Sequence, residues 1–285
     1  MSLSAAGHTD VGRKRQNNED GFALLEVGTV VEQPPVARID RQPLGPRGTL
    51  LLVADGMGGA EAGEVASRLA LEGAIAEMQA SRPGIPREVF LRDLVCRVHA
   101  RVQFEAEANL AQYGMGSTLA GLWLVDDQAH FFNVGDCRIY RWRDGELAQL
   151  TVDQTVAQSM VNRGEITPEQ ARSSRFRGML EAVIGGGAEV PVPQVGSFGL
   201  RTGDRFLLCS DGCHDCLEDA DFEQLLRNRN FDPVACAHSA VSLACRRSGH
   251  DNITVVAAMV ADPSAAARGA PGLIARVMAR LRSGR

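Results

Sequence analysis

The chain has 285 residues, 45% of them hydrophobic and 23% charged, proportions that suit one large globular domain or at most two. Its formal net charge of −5 argues against a nucleic-acid binder, and no apolar run approaches the ~18 residues that a membrane span needs. The opening MSLSAAGHTD has no basic stretch followed by an apolar one, so no signal peptide is expected and the expected compartment is the cytoplasm.

Asp10 to Asp20 is polar and leads into the apolar stretch Phe22 to Val27, which reads as the first strand with Glu19 and Asp20 at its N-terminal end. Gly28 to Gly48 carries four prolines and reads as a loop or hairpin excursion. The run Leu50–Ala54 is a buried strand that stops at a carboxylate, Asp55, followed by Gly56, Gly58 and Gly59. Glu61 to about Ala80 reads as a helix. A second helix starts at Pro86, with Phe90, Leu94, Val98 and Val102 as its buried stripe, and runs to about Ala111. Thr118–Val125 and His130–Val134 form a hairpin around Asp126-Asp127. Arg138–Arg143 and Glu146–Leu150 form another around Asp144-Gly145, a type I′ signal.

From Asp153 to Gly187 the chain turns polar and helical, with Thr167-Pro168-Glu169-Gln170 as a capping box, and reads as an inserted mobile subdomain. Phe206–Cys209 repeats the earlier pattern of strand, Asp and Gly at Asp211-Gly212. Phe222–Arg227 is a short helix. Asp232-Pro233 caps another, with Val234, Val241 and Cys245 inward and Gly249 as its stop. Asp251 then enters the last strand, Ile253–Val260. The domain is expected to end at residue 262. Residues 263–285 form an Ala/Arg-rich tail, whose apolar Leu273, Ile274, Val277, Met278 and Leu281 share one helical face. The seven cysteines show no regular framework and read as reduced thiols; Cys213 and Cys216 form one CxxC without a second ligand pair.

Carboxylates recur at strand ends. Asp55, Asp136 and Asp211 follow apolar runs, whereas Glu19, Asp20 and Asp251 precede them. If the first and last strands run antiparallel to the others, all six meet at one edge. Bare anions sharing a buried edge would raise one another's pKa values sharply. Hard divalent cations resolve the conflict, and an all-oxygen set favours Mg²⁺ or Mn²⁺. The glycines do not complete a nucleotide-binding fingerprint, since GxGxxG would need glycine at Glu61 and no GxxxxGK[ST] exists.

Six motifs now stand in order: Arg15-x-Asn17-Asn18-Glu19-Asp20, Ala54-Asp55-Gly56-Met57-Gly58-Gly59, Gly116-Ser117-Thr118, Val134-Gly135-Asp136-Cys137-Arg138, Cys209-Ser210-Asp211-Gly212 and Asp251-Asn252-Ile253-Thr254-Val255. In these the chain resembles the metal-dependent protein phosphatases, the protein phosphatase 2C-like family, and looks like a short bacterial member from about His8 to Val260. The resemblance implies an α+β fold, a four-layer α-β-β-α sandwich of two antiparallel sheets, each covered by a helix pair. It implies a binuclear Mn²⁺ or Mg²⁺ centre that hydrolyses phosphoserine and phosphothreonine in phosphorylated proteins, opposing a serine/threonine kinase. Asp55 would bridge the ions, Gly56 would lend its carbonyl, and Asp211 and Asp251 would hold the other ion. Glu19 would act through water and Asp20 would support the shell. Asp136 with Asp211 would form a weaker third-ion site, and Arg15 would clamp the phosphate. Asp55, Asp211 and Arg15 are thus the expected catalytic residues, in a chain expected to act as a monomer. The 153–187 segment matches the family's flap, with Asp153-Gln154-Thr155 where Asp-His-Ser is common. Two departures follow Asp55: where relatives carry a histidine as proposed proton donor, this chain has Met57 and Ala60, leaving His214, His250 or a metal-bound water as substitutes. The alternative readings are a regulatory binding module that keeps the fold without turnover, and a hydrolase of small phosphate esters.

Overall fold

The computed structural model describes residues 1–28, 38–58, 62–81, 84–187 and 189–262. The basic tail and Gly59, Ala60 and Glu61 lie outside them. In chain order the strands are β1 (Ser2–Asp10), β2 (Asp20–Glu26), β3 (Arg38–Pro43), β4 (Thr49–Met57), β5 (Gly116–Ser117), β6 (Leu119–Val125), β7 (Gln128–Val134), β8 (Arg138–Arg143), β9 (Glu146–Gln149), β10 (Ile184–Gly185), β11 (Gln194–Gly199), β12 (Arg205–Cys209) and β13 (Ile253–Ala261). The helices are α1 (Ala62–Gln79), α2 (Arg87–Ala108), α3 (Val156–Asn162), α4 (Pro168–Arg172), α5 (Asp211–His214), α6 (Asp219–Leu226) and α7 (Pro233–Arg247).

Two antiparallel sheets face each other. One has the order β3-β1-β13-β12-β8-β9; the other has β10-β5-β4-β6-β7-β11, with β2 also paired to β4. The continuous apolar runs have a simple cause. A central strand here is buried on both faces, so alternate residues feed two different cores. Leu50, Leu52 and Ala54 of β4 join Ala66, Ala70, Leu94 and Val98 under α1 and α2. Leu51 and Val53 point the other way and meet Leu208, Val256 and Ala258 between the sheets. Leu207, Val255 and Ala257 of the second sheet pack beneath Phe222, Ala240 and Val241 of α6 and α7. Helices, sheet, sheet and helices make the four expected layers around three apolar fillings.

Both predicted hairpins form. Asp144 and Gly145 have φ of 53° and 93°, the paired left-handed residues that a type I′ turn demands. The capping box at Thr167 closes onto Gln170. Other expectations need correction. The stretch Phe22–Val27 is the second strand. The first is β1, which pairs with β13 from Ser2↔Ala261 to Asp10↔Ile253. Its other neighbour is β3, formed inside the supposed loop. Pro86 is the N-cap of α2, not its first residue. Val234 faces solvent at 37% exposure, because the inward stripe of α7 is Cys236, Ala237, Ala240, Val241 and Ala244.

Candidate metal centre

Strand pairing delivers the acids. β2 runs antiparallel to β4 with Asp20 directly opposite Asp55. β13 runs antiparallel to β12, and Ser210 ties the two ends together, its N–H donating to the Thr254 carbonyl at 3.1 Å and its Oγ accepting the Thr254 N–H at 3.0 Å. Asp211 and Asp251 therefore emerge side by side. The Ser210 hydroxyl also donates to Asp20 Oδ2 at 2.6 Å, joining the two sheets at this edge. Asn252 adds a second tie: its Oδ1 accepts the Glu19 N–H at 2.8 Å, and its amide donates to the Val11 and Asn17 carbonyls. Asp55 is pinned through its backbone, whose N–H donates to Thr118 Oγ1 at 2.9 Å and whose carbonyl accepts from Thr118 N–H and Ser117 Oγ.

Gly56 has no room for a side chain. A Cβ there would lie 2.0 Å from the Gly63 carbonyl oxygen, because the first turn of α1 presses against the strand end. Gly63 in turn leaves space for the Glu19 carboxylate, which an alanine Cβ would approach to 2.6 Å. Glu19 thus sits against the N-terminal turn of α1, where a carboxylate is favoured.

The electrostatics of the edge are unbalanced. Burial, and then neighbouring carboxylates, push Asp55 and Asp136 well above the usual carboxylate range. The same causes bring Asp20 to about 7 and Asp211 to about 6. Asp55 and Asp211 lie close enough that each shifts the other's protonation. Asp20 Oδ1 and Asp211 Oδ1 are sealed from solvent and have no hydrogen-bond partner. Arg15 reaches the cluster through Asp251, donating from Nη2 to Oδ2 at 2.8 Å. Among the described residues no three His, Cys, Asp or Glu side chains close into a ready coordination cage. Orphaned oxygens, hard donors and an excess of buried negative charge fit divalent cations.

The sequence profile of protein phosphatase 2C matches residues 44–246. The chain belongs to this family. It is 39% identical over 270 residues to the serine/threonine protein phosphatase PstP of Mycobacterium tuberculosis, covering 92% of this chain and 46% of that protein, so it spans about half of that relative's length. With the serine/threonine phosphatase Stp of Listeria monocytogenes it shares 32% identity over 257 residues, 89% of this chain and 94% of the relative. The crystal structure of Mycobacterium tuberculosis PstP/Ppp superposes with a TM-score of 0.77 at 33% identity, over 92% of this chain and 100% of that one. The PstP catalytic domain in complex with two manganese ions gives 0.74, also at 33% identity, over 92% and 99%. The family sandwich is the fold described above.

Beside the acids of this 2C-family chain lies a cleft of about 910 Å³. Asp136 and Asp211 reach its floor, residues between Asp153 and Gly178 form one wall, and the α5–α6 region forms the other. Arg138 grips Asp153 in a two-pronged ion pair, with Nε to Oδ1 at 2.9 Å and Nη2 to Oδ2 at 2.7 Å, at the point where the segment leaves the sheet. Arg177 crosses from the segment to Asp215 at 2.8 Å. The expected acids Asp20, Asp55, Asp136, Asp211 and Asp251 converge at this edge, with Glu19 and the Gly56 backbone beside them. Arg15 stands at the rim, already engaged with an expected metal ligand. Of the histidines considered as proton donors, His214 lines the cleft with its side chain only 4% exposed, its pKa lowered to about 3 chiefly by burial, and it contacts the Asp136 carbonyl at 3.0 Å. Ser210, Asn252 and Thr118 stand in the sequence motifs, but their roles in holding the acids emerge only from the structure. For Ser210 and Asn252 the signal was their place beside Asp211 and Asp251; Thr118 had no acid beside it in sequence.

Proposed function

We propose that this chain is a manganese- or magnesium-dependent protein serine/threonine phosphatase, acting by direct attack of water on phosphorus with no covalent phosphoenzyme. The observation that carries this reading is the buried carboxylate cluster whose charge outweighs its single arginine. Asp55, Asp211, Asp251, Asp20 and Glu19, with the Gly56 carbonyl, are the groups that hold the ions, and Asp136 with Asp211 offers a weaker third place. When bound, two such ions supply positive charge against the phosphoryl oxygens and lower the pKa of a water toward neutrality. Arg15 offers its planar fork to the phosphate, trading its contact with Asp251 for one with substrate. The cleft accepts the polypeptide around the phosphorylated residue, which favours a protein substrate over a small ester. The catalytic unit is residues 1–262 with the 153–187 segment inserted. It works as a monomer in the cytoplasm, opposing a serine/threonine kinase.

The test is hydrolysis of p-nitrophenyl phosphate and of phosphothreonine peptides with Mn²⁺. Activity is expected to vanish with chelator and to fall about a hundred- to a thousand-fold in Asp211→Asn, in line with loss of an electrostatic group at the reacting centre. Unchanged turnover in that variant would remove the assignment. Metal binding measured by calorimetry, without turnover of any phosphopeptide, would favour a regulatory binding module instead.

A further inference from the structure

The 153–187 segment hangs from two anchors. At its start the Gln154 side chain accepts the Gly135 N–H at 2.8 Å, and the Gln154 N–H donates back to the Gly135 carbonyl at 3.0 Å, one residue from Asp136. At its end the chain returns through Ile184, Gly185 and Gly186. The two glycines are left-handed, with φ of 71° and 67°. They pass under α2 so closely that a Cβ on Gly185 would lie 2.6 Å from Val102 and 3.0 Å from the Met115 carbonyl oxygen.

A backbone amide wedged there has no access to water and needs an acceptor. His99 of α2, itself 4% exposed, provides it: Nδ1 accepts the Gly185 N–H at 3.1 Å. Gly185 does not itself line the cleft, whose wall from this segment ends at Gly178, but it fixes the point where the segment returns to the sheet, and beyond it runs a ladder of pairs. Gly185 lies opposite Gly116 and Gly116 opposite Met57, while Ile184 lies opposite Ser117 and Ser117 opposite Gly56. A side chain distant in sequence from every acid therefore reaches the end of β4 across two short strands.

We propose that His99 is a positioning residue: it fixes the strand on which the 153–187 segment rejoins the sheet, and so sets that wall of the cleft relative to Asp55 and Gly56. This rests on the phosphatase reading, because the cleft matters only to a substrate that fills it. An aryl phosphate needs the carboxylate edge alone. A phosphopeptide needs the wall as well, so loss of the anchor acts on the peptide's KM.

The test compares His99→Leu, which removes the acceptor, with His99→Asn, whose Oδ1 takes the place of Nδ1. In the leucine variant the Gly185 amide is expected to exchange about five- to ten-fold faster than in the native protein, the worth of one hydrogen bond, while the amides of Leu51 and Leu122 stay unchanged. KM for a phosphothreonine peptide rises several-fold and kcat on p-nitrophenyl phosphate stays within about two-fold. His99→Asn restores both readouts. In the native protein, a scalar coupling across the Gly185 N–H to His99 Nδ1 reports the bond even if the leucine variant does not fold. Absence of that coupling would overturn the proposal. So would native exchange at Gly185 in the leucine variant, or a parallel loss of aryl phosphate and peptide turnover with loosened core amides. If the native protein cleaves no phosphopeptide at all, the phosphatase reading fails, whereas the coupling and exchange still decide what His99 does.

Discussion

Replacing Asp20 by asparagine should stabilise the metal-free protein and abolish most of its response to metal. Asp20 Oδ1 is sealed without a partner, and the carboxyl is held near pH 7 by burial and by Asp211 and Asp251. A carboxyl that ionises near 7 instead of 3.8 costs about 4 kcal/mol to charge in place, at roughly 1.4 kcal/mol per pH unit. At pH 8 that cost is present almost in full. Asparagine is isosteric and uncharged, and it can still accept the Ser210 hydroxyl, though less strongly than a carboxylate does. The net gain is then about 2 kcal/mol, or roughly 4–8 °C in melting temperature for a domain of this size. The native protein should recover the same cost by binding Mn²⁺: a hundred-fold excess over Kd contributes about 2.7 kcal/mol. Thermal melts at pH 8, with chelator and with a Mn²⁺ series, separate the two. The variant should melt higher than native in chelator and gain little with Mn²⁺. A variant that melts below native in chelator, yet keeps the full Mn²⁺ gain, would refute the view that this edge is short of positive charge.

Arg15→Ala should lower kcat/KM on phosphopeptides about ten- to a hundred-fold, the worth of a charge-assisted hydrogen bond, while thermal melts move by less than about 1 °C because its ion pair with Asp251 is half exposed. Gly56→Ala should cost about 1–3 kcal/mol in urea unfolding, since its Cβ must displace the first turn of α1, and metal affinity should fall with it. The pKa values of His130 and His99 are lowered in the fold mainly by burial, so the unfolded chain takes their protons first. Stability they contribute above pH 6.5 is lost as pH falls below it, at about 1.4 kcal/mol per pH unit for each proton, and urea titrations of His130→Phe should show a shallower slope. Met57→His should raise turnover of phosphothreonine peptides more than that of p-nitrophenyl phosphate, and equal changes on both would refute a proton-donor role at that position.

Much of the architecture was legible because two-sided burial writes itself into β4, β6, β12 and β13 as unbroken apolar runs, with site acids at the end of β4, just after β12 and just before β13. The Asp144-Gly145 hairpin was legible because its turn admits few residues. β1 was not. Ser2, Ala5, Ala6 and Gly7 have little strand propensity, and pairing along β13 holds them in place. β5 and β10, two residues each, have no period to read, yet they connect the cleft wall to the acids. The acids themselves were found by position. What holds them (Ser210 between Asp20 and Thr254, Asn252 between Glu19 and the β1–β2 connection) is fixed by contacts between residues up to 241 apart in sequence, and no local pattern encodes such a contact.

The proton needed by a departing serine or threonine oxygen has no evident owner among the side chains, and the six histidines show why. His8 and His238 stack on each other at 4.5 Å on the β1–α7 face. His130 lies against Arg87 and Trp123, and His99 is committed to Gly185. His250 turns one ring nitrogen to Ser248 and holds the other 3.7 Å from Asp215. Only His214 lines the cleft, and burial keeps it neutral far below physiological pH, so it has no acidic proton to give. Met57, at 42% exposure two residues past Asp55, occupies the open position and offers none either. An aryl leaving group departs as a stable anion and is indifferent to this, whereas an alkyl one must take its proton from water. If no metal-bound water supplies that proton, aryl phosphates should be turned over faster than alkyl ones in the chemical step, and the ratio of the two kcat values tests this. A preference for phosphoproteins, as proposed above, would then have to arise from binding in the cleft.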